Sequence, residues 1–359
     1  MKRTSTYRRF IFPFLSRIDA EEAHQRVLSS LVFAQRRSLG RAILRLLAGK
    51  IPATAVHLFG LNFPNILGVA AGFDKDVHMA PGLAMLGFGH IEVGTITPRP
   101  QAGNPKPRIY RLPKDEALIN RMGFPNDGVK AVVSRLRAMN QVERPYVLGV
   151  SLGKQKNTAL ENAAADYASI LEEVFPYADY LAINVSSPNT PELRKLQGSN
   201  YLGQLLDSLM AVNRVLSTKH GQAKRPLLIK ISPDLSWPEV DDIVQTAIDK
   251  HVDGVIAANT TIERNGLKDA NQAQAGGLSG PPLALRSTQI IRHISKQTNG
   301  RLPIIGVGGI RTAADVQAKV DAGASLVQLY TALVYEGPRL PGRILRELSN
   351  NGNVVNRQT

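Results

Sequence analysis

No cysteine occurs among the 359 residues. That absence excludes disulfides, thiolate nucleophiles and sulfur-ligated iron or zinc. The seven histidines lack the i,i+4 or paired spacing of a metal site, so no metal is expected. No apolar run is long enough to cross a bilayer. Phe10–Leu15, broken by Pro13, is also too short for the apolar part of a secretory signal. A dinucleotide fingerprint is missing as well. The run Gly306-Val307-Gly308-Gly309-Ile310-Arg311 puts an arginine where that motif needs a small residue, so no nicotinamide site is implied. Acid is the minority charge, with 29 Asp and Glu against 44 Lys and Arg and a formal net charge of +15.

What is present begins with Asn184-Val185-Ser186-Ser187-Pro188-Asn189-Thr190, which directly follows the apolar stretch Tyr180–Ile183. A strand that ends in hydroxyls and carboxamides and then turns at a proline offers neutral hydrogen-bonding groups to a ligand above its end. Seven further apolar runs end in glycine or polar residues in the same way: Asn65–Ala71, Ile91–Thr97, Tyr146–Gly153, Leu227–Ser232, Gly254–Thr260, Leu302–Gly309 and Leu326–Thr331. Helix-like stretches such as Tyr167–Phe175, Trp237–His251 and Thr312–Ala322 lie between them. Continuous apolar runs are the mark of parallel strands buried on both faces. Eight strand-helix units predict an α/β fold, a closed (β/α)8 TIM barrel, with chemistry gathered at the carboxyl ends of the strands.

Because the strand pattern starts only near Asn65, the excess length is N-terminal. We expect a helical extension over 1–50, the barrel over 51–350 and a frayed tail over 351–359. Residues 1–50 carry eleven Lys or Arg against three Asp or Glu, a local excess of eight positive charges. Asp19-Ala20-Glu21-Glu22 has the spacing of a capping box, and Ala23, Val27, Leu28, Leu31 and Val32 then recur on one helical face. A second helix is expected after Ser38, with Leu39, Ala42, Ile43, Leu46 and Leu47 apolar and Arg37, Arg41 and Arg45 polar. Two arginine-rich amphipathic helices fit an interfacial attachment to an anionic membrane surface; a hairpin packed on the barrel with solvated arginines fits the same pattern. The expected location is peripheral, on the cytoplasmic face of the cell membrane.

Six motifs occur in order: Ala70-Ala71-Gly72-Phe73-Asp74-Lys75, Gly94-Thr95-Ile96-Thr97-Pro98-Arg99-Pro100, Asn120-Arg121-Met122-Gly123-Phe124, Asn184 to Thr190, Gly277-Leu278-Ser279-Gly280 and Gly306-Val307-Gly308-Gly309-Ile310. Together they resemble the membrane-associated, quinone-dependent class (class 2) of dihydroorotate dehydrogenase over nearly the whole chain. The resemblance implies oxidation of dihydroorotate to orotate in pyrimidine biosynthesis, with FMN as hydride acceptor and a membrane quinone as terminal acceptor. It makes Ser187 the base that takes the C5 proton while hydride leaves C6. The soluble class uses cysteine there, and this chain has none. A planar amide ring with a carboxylate needs neutral partners and a cation. The resemblance places Lys75, Asn120, Arg121, Met122, Gly123, Phe124, Asn184, Asn189, Asn259 and Thr260 on the substrate. It places Ala71, Gly72, Lys75, Thr95, Ser151, Asn184, Lys230, Ala258, Gly280, Gly309, Tyr330 and Thr331 on FMN.

Some positions depart from the family pattern. Ser151 stands where relatives carry Asn in Gly-x-Asn-x-Gly-Lys, Ala258 stands where they carry Thr, and His78 stands where a small or acidic residue is usual. Each lost flavin contact is worth roughly 0.5–1.5 kcal/mol, so weaker FMN retention is expected. Two other readings are open. One is an FMN- or phosphate-binding barrel with reduced or lost catalysis. The other is a tRNA-dihydrouridine-synthase-like flavoenzyme, to which basic charge would draw RNA; that family uses a catalytic cysteine and usually a C-terminal RNA-binding domain, and no nucleic-acid partner is expected here. Two insertions, Pro98–Phe124 and Thr261–Pro282, are expected to carry Asn120 and Gly280 toward the ligand, and Asn189–Gly198 to form a lid.

Overall fold

The computed structural model describes residues 6–139 and 143–350, so the expected tail over 351–359 lies outside the described residues. Eight short strands are buried along their length: β1 (Leu67–Val69), β2 (His90–Ile96), β3 (Val147–Leu152), β4 (Tyr180–Asn184), β5 (Leu227–Ile231), β6 (Gly254–Ala257), β7 (Ile304–Val307) and β8 (Leu326–Leu329). All pair in parallel and close into one barrel, with β8 hydrogen-bonded to β1. Each apolar run read from the sequence overlaps one of them. The fold is the (β/α)8 barrel, and it carries an N-terminal helical extension.

Glycines decide how the barrel interior is filled. A Cβ on Gly149 would lie 2.1 Å from the ring of Tyr180, and one on Gly68 would lie 2.1 Å from His90 Nε2. Small residues on one strand thus make room for large inward side chains on the next. Burial holds His90 well below the ordinary histidine range, at about 4, so its ring is neutral and packs edge-on to Phe63 at 5.5 Å. Phe63 belongs to the antiparallel hairpin Val56–Leu58/Leu61–Phe63, whose Phe59 meets the start of β6 at Gly254. The hairpin stoppers the amino-terminal end of the barrel, which leaves the carboxyl ends as the open mouth.

The two insertions meet each other. Ile109–Leu112 pairs antiparallel with Ala117–Asn120, and Gly277–Ser279 adds to the latter with Gly277 opposite Asn120. This three-stranded sheet stands over the mouth and brings Asn120 to it.

Helix α1 (Ala20–Arg36) starts at Asp19, whose carboxylate accepts from the N–H groups of Glu21 and Glu22. The capping box is only half made: Glu22 pairs with Arg26, and Glu21 reaches Arg108 of the insertion in a buried two-pronged pair of 2.7 and 2.9 Å. Gln35 clamps the loop after β1 by donating to the His78 carbonyl and accepting from Gly82 N–H. Helix α2 (Ser38–Ala48) buries Leu44 and Ala48, and of the stripe read from the sequence only Leu47 packs against the core. Leu39, Ile43 and Leu46 face solvent, as do Phe10, Phe14 and Phe33. Arg9, Arg17 and Arg37 lie over the rings of Phe10, Phe14 and Phe33. The extension is therefore apolar on both sides, one face packed and the other open. Among the described residues no helix is long and apolar enough to cross a membrane.

Candidate active site

The mouth holds a cavity enclosing about 1090 Å³ of non-atom space, its opening included. Its floor is set by strand ends. Asn184 closes β4 and donates to Thr95 Oγ1 at 2.8 Å; Thr95 in turn shares a 3.0 Å hydrogen bond with Ser151 Oγ. Asn259, just past β6, donates to Ser186 Oγ at 2.9 Å and to Asn184 Oδ1 at 3.3 Å. Asn189 donates to both oxygens of Asn120, which joins the loop after β4 to the insertion sheet. These carboxamides orient one another, so their remaining donors and acceptors are fixed before any ligand arrives. Ser187 lines the same cavity, and its Oγ accepts from Asn189 N–H at 3.3 Å. Thr190 Oγ1, on the same loop, is buried without a partner among the described residues.

Two lysines line the cavity in different states. Lys230 is paired at 2.9 Å with Glu92, whose side chain is wholly buried and whose other oxygen accepts from Tyr180 and Gln328. Lys75 is in none of the ion pairs of the described residues and donates to the Gly72 carbonyl at 2.8 Å. Burial lowers its pKa to about 8, against the partial relief of Asp76 and Glu21. No Asp or Glu lines the cavity among the described residues. The site thus offers neutral polar groups and cationic charge, a lining suited to a polar anion.

The far end is a cradle of backbone. Gly280, Gly308 and Gly309 line it with φ of +105°, +122° and +74°, values that disfavour any side chain. A Cβ on Gly309 would also lie 2.4 Å from that of Ala284. Tyr330 and Thr331 close this end after β8, where barrels commonly hold phosphate. A planar heterocycle ending in a phosphate suits this shape and donor set.

A sequence model of the family described as "Dihydroorotate dehydrogenase" matches residues 53–351. The chain belongs to the dihydroorotate dehydrogenase family. A relative named "Dihydroorotate dehydrogenase (quinone)" from Synechococcus sp. (strain JA-2-3B'a(2-13)) is 46% identical, with 96% of this chain and 94% of the relative aligned. One of the same name from Chloroflexus aurantiacus (strain ATCC 29366 / DSM 635 / J-10-fl) is 47% identical over 97% of both. The crystal structure of DHODH in complex with ferulenol from Eimeria tenella superposes with a TM-score of 0.80 at 38% identity, covering 89% of this chain and 93% of that one.

Within this dihydroorotate dehydrogenase fold, most residues singled out in the sequence converge. Ala71, Gly72, Lys75, Thr95, Asn120, Met122, Gly123, Phe124, Asn184, Ser187, Asn189, Lys230, Ala258, Asn259, Thr260, Gly280, Gly309, Tyr330 and Thr331 all line the one cavity. Two do not. Arg121 is turned outward, its guanidinium 5.0 Å from the Tyr110 ring centre and bonded to the Pro107 carbonyl, because alternate residues of a strand face opposite ways. Ser151 is fully buried behind Thr95 and reaches the cavity only through it. Sequence reasoning missed Glu92, Gln328 and Arg311. The signal for Glu92 was a carboxylate inside an otherwise apolar buried strand. The loop expected to act as a lid is latched in this structure: Arg194 bonds Asp234, the Ser186 carbonyl and the Thr260 carbonyl.

Proposed function

We infer that the chain is the quinone-dependent enzyme of its family, oxidising dihydroorotate to orotate in pyrimidine biosynthesis with FMN as the bound cofactor. The observation that carries this reading is one acid-free cavity joining Ser187 and four mutually oriented asparagines to a glycine cradle. FMN, when bound, supplies the hydride acceptor and the link to the quinone. Ala71, Gly72, Thr95 and Lys230 would hold its ring, and Gly280, Gly309, Tyr330 and Thr331 its phosphate. Asn120, Asn184, Asn189 and Asn259 fit the amide edges of the substrate, and Lys75 its carboxylate. Ser187 takes the C5 proton. An unassisted hydroxyl is a weak base, so it must pass that proton on, through water or a neighbouring hydroxyl. Parallel assays of dihydroorotate oxidation with a water-soluble acceptor, a quinone, fumarate and NAD test the reading. Turnover with the quinone and not with fumarate or NAD is expected; a colourless protein inert with all four would overturn it.

The pKa of Lys75 gives the substrate step a pH dependence. Below about 8 its ammonium is present and binds the carboxylate; above about 8 the charge is lost. KM for dihydroorotate should therefore climb as pH rises through that value. In Lys75→Met it should be high at every pH, and a profile unchanged by the substitution would remove Lys75 from this role.

Ala258 presents a methyl to the cavity where a hydroxyl would donate or accept. FMN retention should accordingly be weaker than in relatives, and Ala258→Thr should tighten it by roughly 0.5–1.5 kcal/mol. A wild-type protein that keeps its full flavin through prolonged dialysis would contradict this.

The outward apolar face of the extension, fringed with arginine, suits an anionic bilayer surface from which a quinone could enter. Leu39→Glu/Leu46→Glu should abolish cosedimentation with anionic vesicles while leaving turnover with the water-soluble acceptor intact. Equal loss of both would refute a separate membrane face.

A further inference from the structure

A barrel interior is ordinarily filled by branched apolar side chains. Here the layer under the cavity is polar, and four strands supply it: Glu92 from β2, Tyr180 from β4, Lys230 from β5 and Gln328 from β8. Lys230 Nζ meets Glu92 Oε1 at 2.9 Å, while Glu92 Oε2 accepts from Gln328 Nε2 at 2.9 Å and from the Tyr180 hydroxyl at 3.2 Å. Burial, and after it the Glu92 charge, raises the Tyr180 pKa well above its ordinary value, so the hydroxyl is a neutral donor. His90, on the same strand as Glu92, is neutral as well. Among the described residues no further Asp or Glu bonds Lys230 and no further cation bonds Glu92, so the layer holds one charge of each sign.

Stability alone does not account for this layer, because a buried ion pair is often no better than apolar packing of the same volume. The two ends of the pair are also not equivalent. Lys230 lines the cavity, whereas Glu92 is fully buried and lies outside the lining. The pair therefore turns its positive end to whatever occupies the mouth, with a carboxylate directly behind the cation. Charges in a dry interior are poorly screened, so that carboxylate weakens the field the ammonium alone would cast into the cavity. Reduced flavin carries more negative charge than oxidised flavin, and a nearby cation favours it. Glu92 is placed to limit that preference.

We propose that Glu92 is a positioning residue that holds Lys230 toward the flavin and lowers the flavin's reduction potential by offsetting the lysine's charge. The proposal rests on the FMN reading above. An unopposed Lys230 would hold the reduced form more tightly, and electrons would pass less readily to the quinone. Tyr180 and Gln328 anchor the carboxylate from two other strands, so the offset stays fixed while the flavin changes charge.

The test is an anaerobic redox titration of the flavin-loaded enzyme against a dye of known potential. In Glu92→Gln the affinity for reduced over oxidised flavin should rise by on the order of tenfold, which is about +30 mV for a two-electron couple. The carboxamide of that variant can accept from Lys230 and donate to Tyr180 and to a turned Gln328 amide, so the layer keeps its hydrogen bonds. Glu92→Asp keeps the charge and should stay close to the wild-type potential. Tyr180→Phe deletes a donor and no charge, leaving Glu92 less screened, so its potential should fall; it carries the test if Glu92→Gln does not fold. An unchanged or lowered potential in Glu92→Gln would overturn the proposal. So would an equal shift in Glu92→Asp, which is what a purely structural role predicts, or anything but a fall in Tyr180→Phe. A wild-type enzyme that carries no flavin would instead refute the FMN reading itself.

Discussion

Replacing Ser187 with alanine should slow reduction of the bound flavin by dihydroorotate by about 10²- to 10⁴-fold, the usual worth of a positioned general base. Flavin content and substrate affinity should hardly change. The separation follows from the geometry. Ser187 contributes one oxygen to the cavity, whereas the proposed recognition of substrate is spread over Asn120, Asn184, Asn189 and Asn259, which keep one another oriented without it. The one hydrogen bond that Ser187 Oγ receives comes from Asn189 N–H, which stabilises negative charge on that oxygen as its proton leaves. Among the described residues no Asp or Glu lines the cavity to compete for the proton or to repel the substrate carboxylate. Stopped-flow bleaching of the flavin under anaerobic conditions reads the step directly, without the quinone. A Ser187→Ala enzyme within tenfold of wild type would mean that another group takes the C5 proton.

How much of this was legible in the sequence depended on what kind of signal each feature carries. The barrel was legible because a parallel strand buried on both faces has no polar alternative, so eight apolar runs mark eight strands. The cavity residues were legible because they sit where those runs stop, at Asn184, Asn259 and Tyr330. The insertion sheet was not, since antiparallel pairing between segments more than 150 residues apart leaves no local pattern, and Gly277 opposite Asn120 is visible only in three dimensions. Arg121 was misplaced for a related reason: it belongs to the motif that delivers Asn120, but strand alternation sends it to the other face. Helix α2 shows the limit of periodicity. Its apolar residues run around the helix, and only packing reveals that Leu44 and Ala48 face the core while Leu39 and Leu46 face out. Charge pairing was the least legible, because Glu92 and Lys230 are 138 residues apart and each looks misplaced until the other is seen.

That pair carries the second large prediction. Lys230→Met should destabilise the folded enzyme by roughly 3–5 kcal/mol, the cost of stranding one member of a buried ion pair. Glu92 has no access to solvent, and without the lysine its charge is met only by Tyr180 O–H and Gln328 Nε2. The reverse change, Glu92→Gln, should cost less, because Lys230 lines the cavity and its ammonium can be solvated from there. If the two side chains act as a unit, Lys230→Met/Glu92→Gln will be more stable than the sum of the single losses requires. The readout is urea unfolding of all four proteins freed of flavin, so that cofactor binding, in which Lys230 is proposed to take part, adds to none of them. Additive losses would show that Glu92 finds its compensation elsewhere in the barrel interior. A coupled loss, with the neutral double variant recovering stability but not hydride transfer, would mean that the sequence keeps a carboxylate in its core in order to hold a cation beneath the reacting ring.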